Sequence, residues 1–159
     1  ELIATASGTV RPVGAGHSFS PLVPTDHTIV SLSRLSGLVS HDPQNLQATL
    51  WAGSRLGDIG QPLEDAGQAL VNMPDIDEQT LAGCLATATH GTGVSIGCMS
   101  TFIEGLQLVD ARGDGHRDVI ERPSTFLMNS CRFLSTSSAS SSDCFFRTYP
   151  TCLSFSSSR

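Results

Sequence analysis

The chain has 159 residues, no lysine and a formal net charge of −6. That length suffices for one domain with a sizeable core, the acidic balance excludes a basic nucleic-acid surface, and no apolar run approaches the ~20 residues that cross a bilayer. The 5 cysteines contain no C-x-x-C pair, which excludes a zinc ribbon or a thioredoxin-like centre.

The chain opens on Glu1 with no charged-then-apolar leader after it, which suggests a fragment or processed chain and favours a cytoplasmic location. Glu1 to Ala6 reads as the end of a helix, with Gly8 just past its C-terminus. Thr9 to Val13 is a short strand that runs into the loop Gly14-Ala-Gly-His-Ser18. Thr28 to Leu32 is a second strand, and Gly37–Ser40 and Leu46–Ala52 are two more around the turn His41–Asn45. In the last of these Leu46, Ala48, Leu50 and Ala52 alternate with polar or bulky neighbours, the period of a half-buried strand. Ser54 reads as the N-cap of a helix whose Leu56, Ile59, Leu63 and Ala66 share one face, with Gly67 ending it. A very short strand at Ala69–Val71 and an acidic loop at residues 72–78 follow.

Thr80 then caps a helix of small residues through Ala86, leaving by Thr87-Ala-Thr-His-Gly-Thr-Gly93. Its N-terminus reads as a second anion site, and its lack of bulk invites a flat group or another backbone against it. Cys84 within it is expected to be a small buried hydrophobe. Phe102 to Ala111 is a long strand that Arg112–Gly115 turns back into His116–Ile120. This order of short strands and two helices, without strict βαβ alternation, argues α+β.

Residues 1–121 carry 5 Arg against 14 acids, net −9, and all 15 glycines. Residues 122–159 carry 4 Arg against Asp143, net +3, and include a serine run. The change marks a boundary, and the tail is expected not to pack.

The loop at Gly14 is where chemistry concentrates. Gly14 and Gly16 let backbone N–H groups approach a diphosphate, and His17 and Ser18 stand inside that cradle. It is not the dinucleotide fingerprint, because Phe19 takes the third glycine position and Pro21 and Pro24 forbid an immediate helix. Nor is it a hydrolase elbow, since no glycine follows Ser18 by two. A neutral imidazole is a competent nucleophile, which makes His17 a candidate for that role; its alternative role is that of a loop histidine that only hydrogen-bonds. His27, His41 and His116 read as solvent-facing, and no spacing among the five histidines fits a metal site.

Together, RPVGAGHSFSPL, LVNMPDIDEQTLAGCLATATHGTG and GLQLVDARGDG resemble the FAD-binding domain of the vanillyl-alcohol oxidase type (PCMH-like), and within it the gulonolactone and arabinonolactone oxidases and the alditol oxidases. The resemblance covers roughly residues 1–121. It implies an α+β domain of two subdomains with FAD between them, here truncated at both ends. It implies that Val13, Gly14, Ala15, Gly16, His17 and Ser18 hold the pyrophosphate, with His17 bonded covalently to the flavin 8α-methyl. Asp75, Thr80, Gly83, Thr87, Ala88, Thr89 and His90 fall on its second FAD-contacting segment, where Asp75 stands in place of a serine seen in some relatives. The activity it implies is oxidation of a C–OH of a sugar alcohol or aldonolactone, hydride passing to flavin N5 and oxygen or another acceptor reoxidising it. The residues that bind and deprotonate substrate belong to a separate substrate domain with no counterpart in this sequence. A second reading, of a different class, is a non-catalytic flavin-binding or inactive fragment.

Overall fold

The computed structural model describes residues 2–110, 112, 114–119 and 152–156. The sequence-predicted boundary at 121 and nearly all of the serine-rich stretch lie outside these residues. The fold is α+β, as expected. Helix α1 (Leu2–Thr5) leads through Gly8, at φ +80°, into β1 (Val10–Val13), which pairs in parallel with β2 (Thr28–Ser31) as a separate two-stranded sheet. The second sheet has five strands, all pairs antiparallel, in the order β3 (Leu38–Asp42), β4 (Gln47–Trp51), β7 (Cys152–Ser156), β5 (Ile103–Val109), β6 (Gly115–Val119).

Of the serine-rich stretch the described residues include β7 alone, and Cys152–Ser156 lies between β4 and β5 and pairs with both. The physical reason is in the sequence: Leu153-Ser-Phe-Ser156 alternates apolar and polar residues, a strand signal that the serine-rich composition hides.

The core sits on one face of β4. Ala48 and Leu50 point inward on alternate residues and meet Leu56, Ile59 and Leu63 of α2 (Leu56–Asp65), Leu81 and Cys84 of α3 (Leu81–Ala86), Met99 and Ile103. The helical spacing of the α2 triad is thus its buried stripe. Gly67, at φ +70°, ends α2: its N–H and that of Gln68 donate back to the Glu64 and Leu63 carbonyls, which is the Schellman arrangement.

Several local expectations change. Arg55, not Ser54, is the N-cap of α2. Ser54 is wholly buried, and its hydroxyl accepts from Gly37 N–H (2.8 Å) and donates to the Trp51 carbonyl (2.7 Å). Its side chain is spent on joining two loops rather than on the helix. Ala69–Val71 forms no strand, since no described strand pairs with it; Leu70 only packs on the core. The long strand begins later than expected, at Ile103, because Met99–Phe102 turns as a 3₁₀ helix.

One joint ties the two sheets together. Gly53 N–H donates to the Leu35 carbonyl (2.9 Å), and Trp51 N–H to the Gly37 carbonyl (3.1 Å). A Cβ on Gly53 would collide with the Leu32 carbonyl and lie 2.8 Å from that of Leu35. Only a glycine permits this crossing.

Candidate functional site

Because β1 and β2 are parallel and in register, Val13 and Ser31 end side by side, and the chain leaves β1 at Gly14. Gly14 packs directly on Thr80: a Cβ there would collide with Thr80 Oγ1. Gly83, one turn into α3, approaches the same hydroxyl, its notional Cβ lying 3.0 Å from Oγ1. Two segments far apart in sequence thus meet through two glycines and one hydroxyl. Beside this contact lies a cavity of about 210 Å³, lined in part by Val13, Gly14 and Thr80.

Other parts of that cavity wall were not foreseen. Ser31, Ser33 and Ser36 line it, as do Gly53, Arg55 and Asp58. The signal was present in Ser31-Leu-Ser-Arg-Leu-Ser36, hydroxyls placed at intervals directly after a strand. The Arg55 backbone bridges that of Thr80, and its guanidinium Nη1 forms an ion pair with the Glu78 carboxylate. Both side chains are about half exposed or more, so the pair adds little stability.

Thr80 stands at the N-cap of α3, as expected, but its hydroxyl makes no capping bond. At the helix N-terminus two amides that an anion would need are already bonded within the chain. Leu81 N–H donates to the Ser54 carbonyl (2.8 Å) and Ala82 N–H to the Ala52 carbonyl (2.9 Å). The first two amides of α3 are thus already satisfied by carbonyls on either side of Gly53.

The exit of α3 is tightly bonded. Thr87 Oγ1 donates to the Gly83 carbonyl (3.0 Å), the Thr87 and Thr89 hydroxyls lie 3.2 Å apart, and Thr89 Oγ1 donates to Gln79 Oε1 (3.2 Å). Thr89 N–H donates back to the Cys84 carbonyl, and Met99 N–H to the Thr89 carbonyl. Between them Ala88 adopts φ +53°, the left-handed region that an alanine occupies only at a cost. Gly91 packs against the Asn72 side chain and the Met73 carbonyl (2.5 Å for a notional Cβ), which joins the acidic loop to this exit.

The remaining expected residues lie apart from these contacts. Ala15 is half-buried, while Gly16, His17 and Ser18 are exposed. Gly16 takes φ +75° with open space where a Cβ would stand. Ser18 Oγ accepts from Ser20 N–H at 3.4 Å. Asp75 is exposed, and so is His90, whose Nδ1 donates to the Gly91 carbonyl (2.8 Å). Ala86 and Ala88 are exposed, so no described group covers that part of the small-residue face. His27, His41 and His116 are exposed as expected. Cys84 is buried; its thiol donates to the Leu81 carbonyl (3.0 Å), and desolvation pushes its pKa up to about 12. Among the described residues no group of three His, Cys, Asp or Glu could hold a metal ion, and no helix is long and apolar enough to cross a membrane.

Comparison with known proteins places the chain in a family. Residues 1–117 match the FAD binding domain. A Mycobacterium tuberculosis L-gulono-1,4-lactone dehydrogenase is 37% identical over 105 residues, 66% of this chain and 24% of that protein. The L-gulonolactone oxidase of Scyliorhinus torazame is 34% identical over 114 residues, 72% of this chain and 26% of that protein. A D-arabinono-1,4-lactone oxidase of Eremothecium gossypii is 37% identical over 110 residues, 67% of this chain and 21% of that protein. The chain therefore spans about a quarter of the length of the curated relatives it matches. In fold it is similar to cholesterol oxidase from Brevibacterium sterolicum (TM-score 0.66, 17% identity, 92% of this chain and 29% of that one). It is also similar to an alkyldihydroxyacetonephosphate synthase (TM-score 0.59, 20% identity, 70% and 22%).

Proposed function

The chain belongs to the FAD binding domain family, and from that premise we propose that it is the flavin-holding part of an FAD-dependent oxidoreductase that oxidises a C–OH of an aldonolactone or sugar alcohol. The observation that carries this reading is the meeting of Gly14 and Gly83 on the Thr80 hydroxyl, with Gly14 and Thr80 in the wall of a serine-lined cavity. Gly14 must be bare to pass Thr80, which leaves its backbone uncovered by any side chain at the cavity wall, and a diphosphate is a ligand that backbone N–H groups can approach there.

Val13, Gly14, Ala15, Gly16 and Ser18 would hold the diphosphate, with Thr80 and Gly83 closing the cradle from α3. Thr87, Ala88, Thr89 and His90 would present a pre-bonded surface to the rest of the cofactor, and Asp75 the exposed loop beside it. FAD, when bound, supplies the two-electron acceptor. The protein supplies position: the hydroxyls of Thr87 and Thr89 fix the α3 exit, and the joint at Gly53 fixes the cavity wall. His17 is the residue that would carry covalent attachment to the flavin 8α-methyl, since an exposed imidazole on the glycine loop is free to turn toward a ligand held there. The substrate class follows the names of the gulonolactone and arabinonolactone enzymes, with a small-molecule partner and no nucleic acid.

The test is the colour of the acid-precipitated protein after loading with FAD. Yellow should stay in the pellet, and His17→Ala should release flavin to the supernatant while still binding it when folded. Flavin released by acid from the unsubstituted protein would sink the covalent assignment alone. A protein that takes up no flavin under any condition would sink the whole reading.

A further inference from the structure

The Gly14–Ser18 loop offers an anion backbone N–H dipoles, the Ser18 hydroxyl and the His17 ring, with no arginine or lysine among its residues, and Asp58 lies on the wall of the same cavity. A diphosphate entering there brings further negative charge into a chain that is already acidic. Removing such charges from water without a cation beside them is strongly unfavourable. Arg55 is the cationic residue of the cavity lining.

Arg55 is held through both its backbone and its side chain. The backbone is fixed twice, as the N-cap of α2 and through its bridge to Thr80, the residue that touches Gly14. The guanidinium is fixed at one corner only. Nη1 donates to the Glu78 carboxylate and to the Glu78 carbonyl (3.3 Å). Nε and Nη2 make no hydrogen bond among the described residues. A guanidinium has five N–H donors in a planar fork, and the Nε–Nη2 edge is one that grips two oxygens of a phosphate side-on. Glu78 therefore holds the fork by Nη1 and leaves the Nε–Nη2 edge without a hydrogen-bond partner among the described residues.

Resting on the flavin-binding reading above, we infer that Arg55 is the side chain that anchors the cofactor diphosphate, and that it makes the site select diphosphate-bearing ligands over the bare isoalloxazine. Asp58 opposes the anion and Glu78 holds the cation, so the selectivity lies in Arg55 itself.

The experiment titrates FAD, ADP and riboflavin into the whole chain and into Arg55→Gln, Arg55→Lys and Arg112→Gln. Arg112 is exposed on the turn between β5 and β6 and controls for the loss of one positive charge. Arg55→Gln should weaken FAD and ADP about tenfold or more, the scale of a lost charge-assisted fork. Riboflavin should change less than about twofold in the same variant, since it lacks the phosphates that charge-assisted bonds require. Arg55→Lys should fall between, keeping the charge but not the fork, and Arg112→Gln should bind all three as the parent does. If FAD and ADP bind Arg55→Gln as they bind the parent, the anchoring role is wrong while the flavin reading stands. If riboflavin weakens by the same factor as FAD, Arg55 only supports the fold of the site and the inference is overturned. If the parent binds none of the three, the flavin reading itself falls and takes this inference with it.

Discussion

The segment Gln79–His90 and the loop Gly14–Ser18 flank one cavity, yet their bonding is opposite. In the first, successive backbone and side-chain groups are engaged: α3 starts on the Ala52 and Ser54 carbonyls, and it ends in a chain of threonine hydroxyls. In the second, Gly16, His17 and Ser18 face solvent and Gly16 has empty space where a side chain would be. A surface meant to receive a ligand without rearranging is built like the first, and a strap meant to fold over it is built like the second. On the proposed flavin-binding reading, the contrast gives binding geometry to the α3 side and adaptability to the glycine loop.

The contrast breaks most violently at the joint that carries both segments. Gly53→Ala drives a methyl group into the Leu32 and Leu35 carbonyls, atoms that belong to backbone and cannot swing aside. The loss should be about 3 kcal/mol or more, read from urea unfolding, as expected for overpacking against fixed atoms. A variant as stable as the parent would mean that the Leu32–Gly37 loop moves freely, and the α3 side would lose its claim to rigidity.

Next in size are the two glycines on Thr80. Gly14→Val should cost about 2 kcal/mol, because Thr80 must rotate away from the new side chain. Gly83→Leu meets only the Thr80 hydroxyl at 3.0 Å, so it should cost flavin retention more than stability. Flavin content against melting temperature separates the two. Equal effects on both properties in both variants would erase the distinction between cradle and scaffold.

Much of this arrangement was legible in the sequence. The glycine loop, the small-residue helix and the α2 stripe are local patterns, set by backbone freedom and by the 3.6-residue period, and each appears where those rules put it. The contacts that build the cavity are not local. Nothing about Ser54 distinguishes a helix cap from a loop clasp until Gly37 and Trp51 are placed around it. Likewise the amides of Leu81 and Ala82 look free in sequence and are consumed by carbonyls some thirty residues earlier. The strand at Cys152–Ser156 was hidden for another reason, since a five-residue alternation carries little weight inside a serine-rich run.

A pH experiment sharpens the comparison from inside α3. Cys84 is buried and its thiol pKa is raised from 9.0 to about 12 by desolvation. The unfolded chain then loses this proton at a lower pH than the folded one. Its contribution is fully present below pH 9.0 and is lost as pH rises toward about 12, with stability falling by up to ~1.4 kcal/mol per pH unit in that window. Cys84→Ala should flatten that part of the stability curve relative to the parent. An unchanged slope would show that the thiol is reached by water and that the α3 core opens more easily than the loop contrast requires.

The smallest effect tests Ala88, which stands between the two hydrogen-bonded threonines Thr87 and Thr89. It holds φ +53° just past the end of α3, where glycine is the usual residue, and it is held there by Thr89 N–H on Cys84 and by the hydroxyls on either side. A left-handed alanine costs about 1 kcal/mol, and a glycine would relieve it while adding some freedom to the unfolded chain. Ala88→Gly should therefore stabilise by about 0.5–1 kcal/mol, a rise of roughly 2 °C in Tm. Flavin affinity should stay within about twofold of the parent, because the threonine bonds, not the alanine methyl, hold the exit in place. A rise in Tm together with weaker flavin binding would show that the strained alanine itself keeps residues 87–90 in position. A fall in Tm would mean that the methyl makes a packing contact worth more than the strain. Either result would move the source of rigidity on the α3 side from the hydroxyl chain to a single backbone conformation.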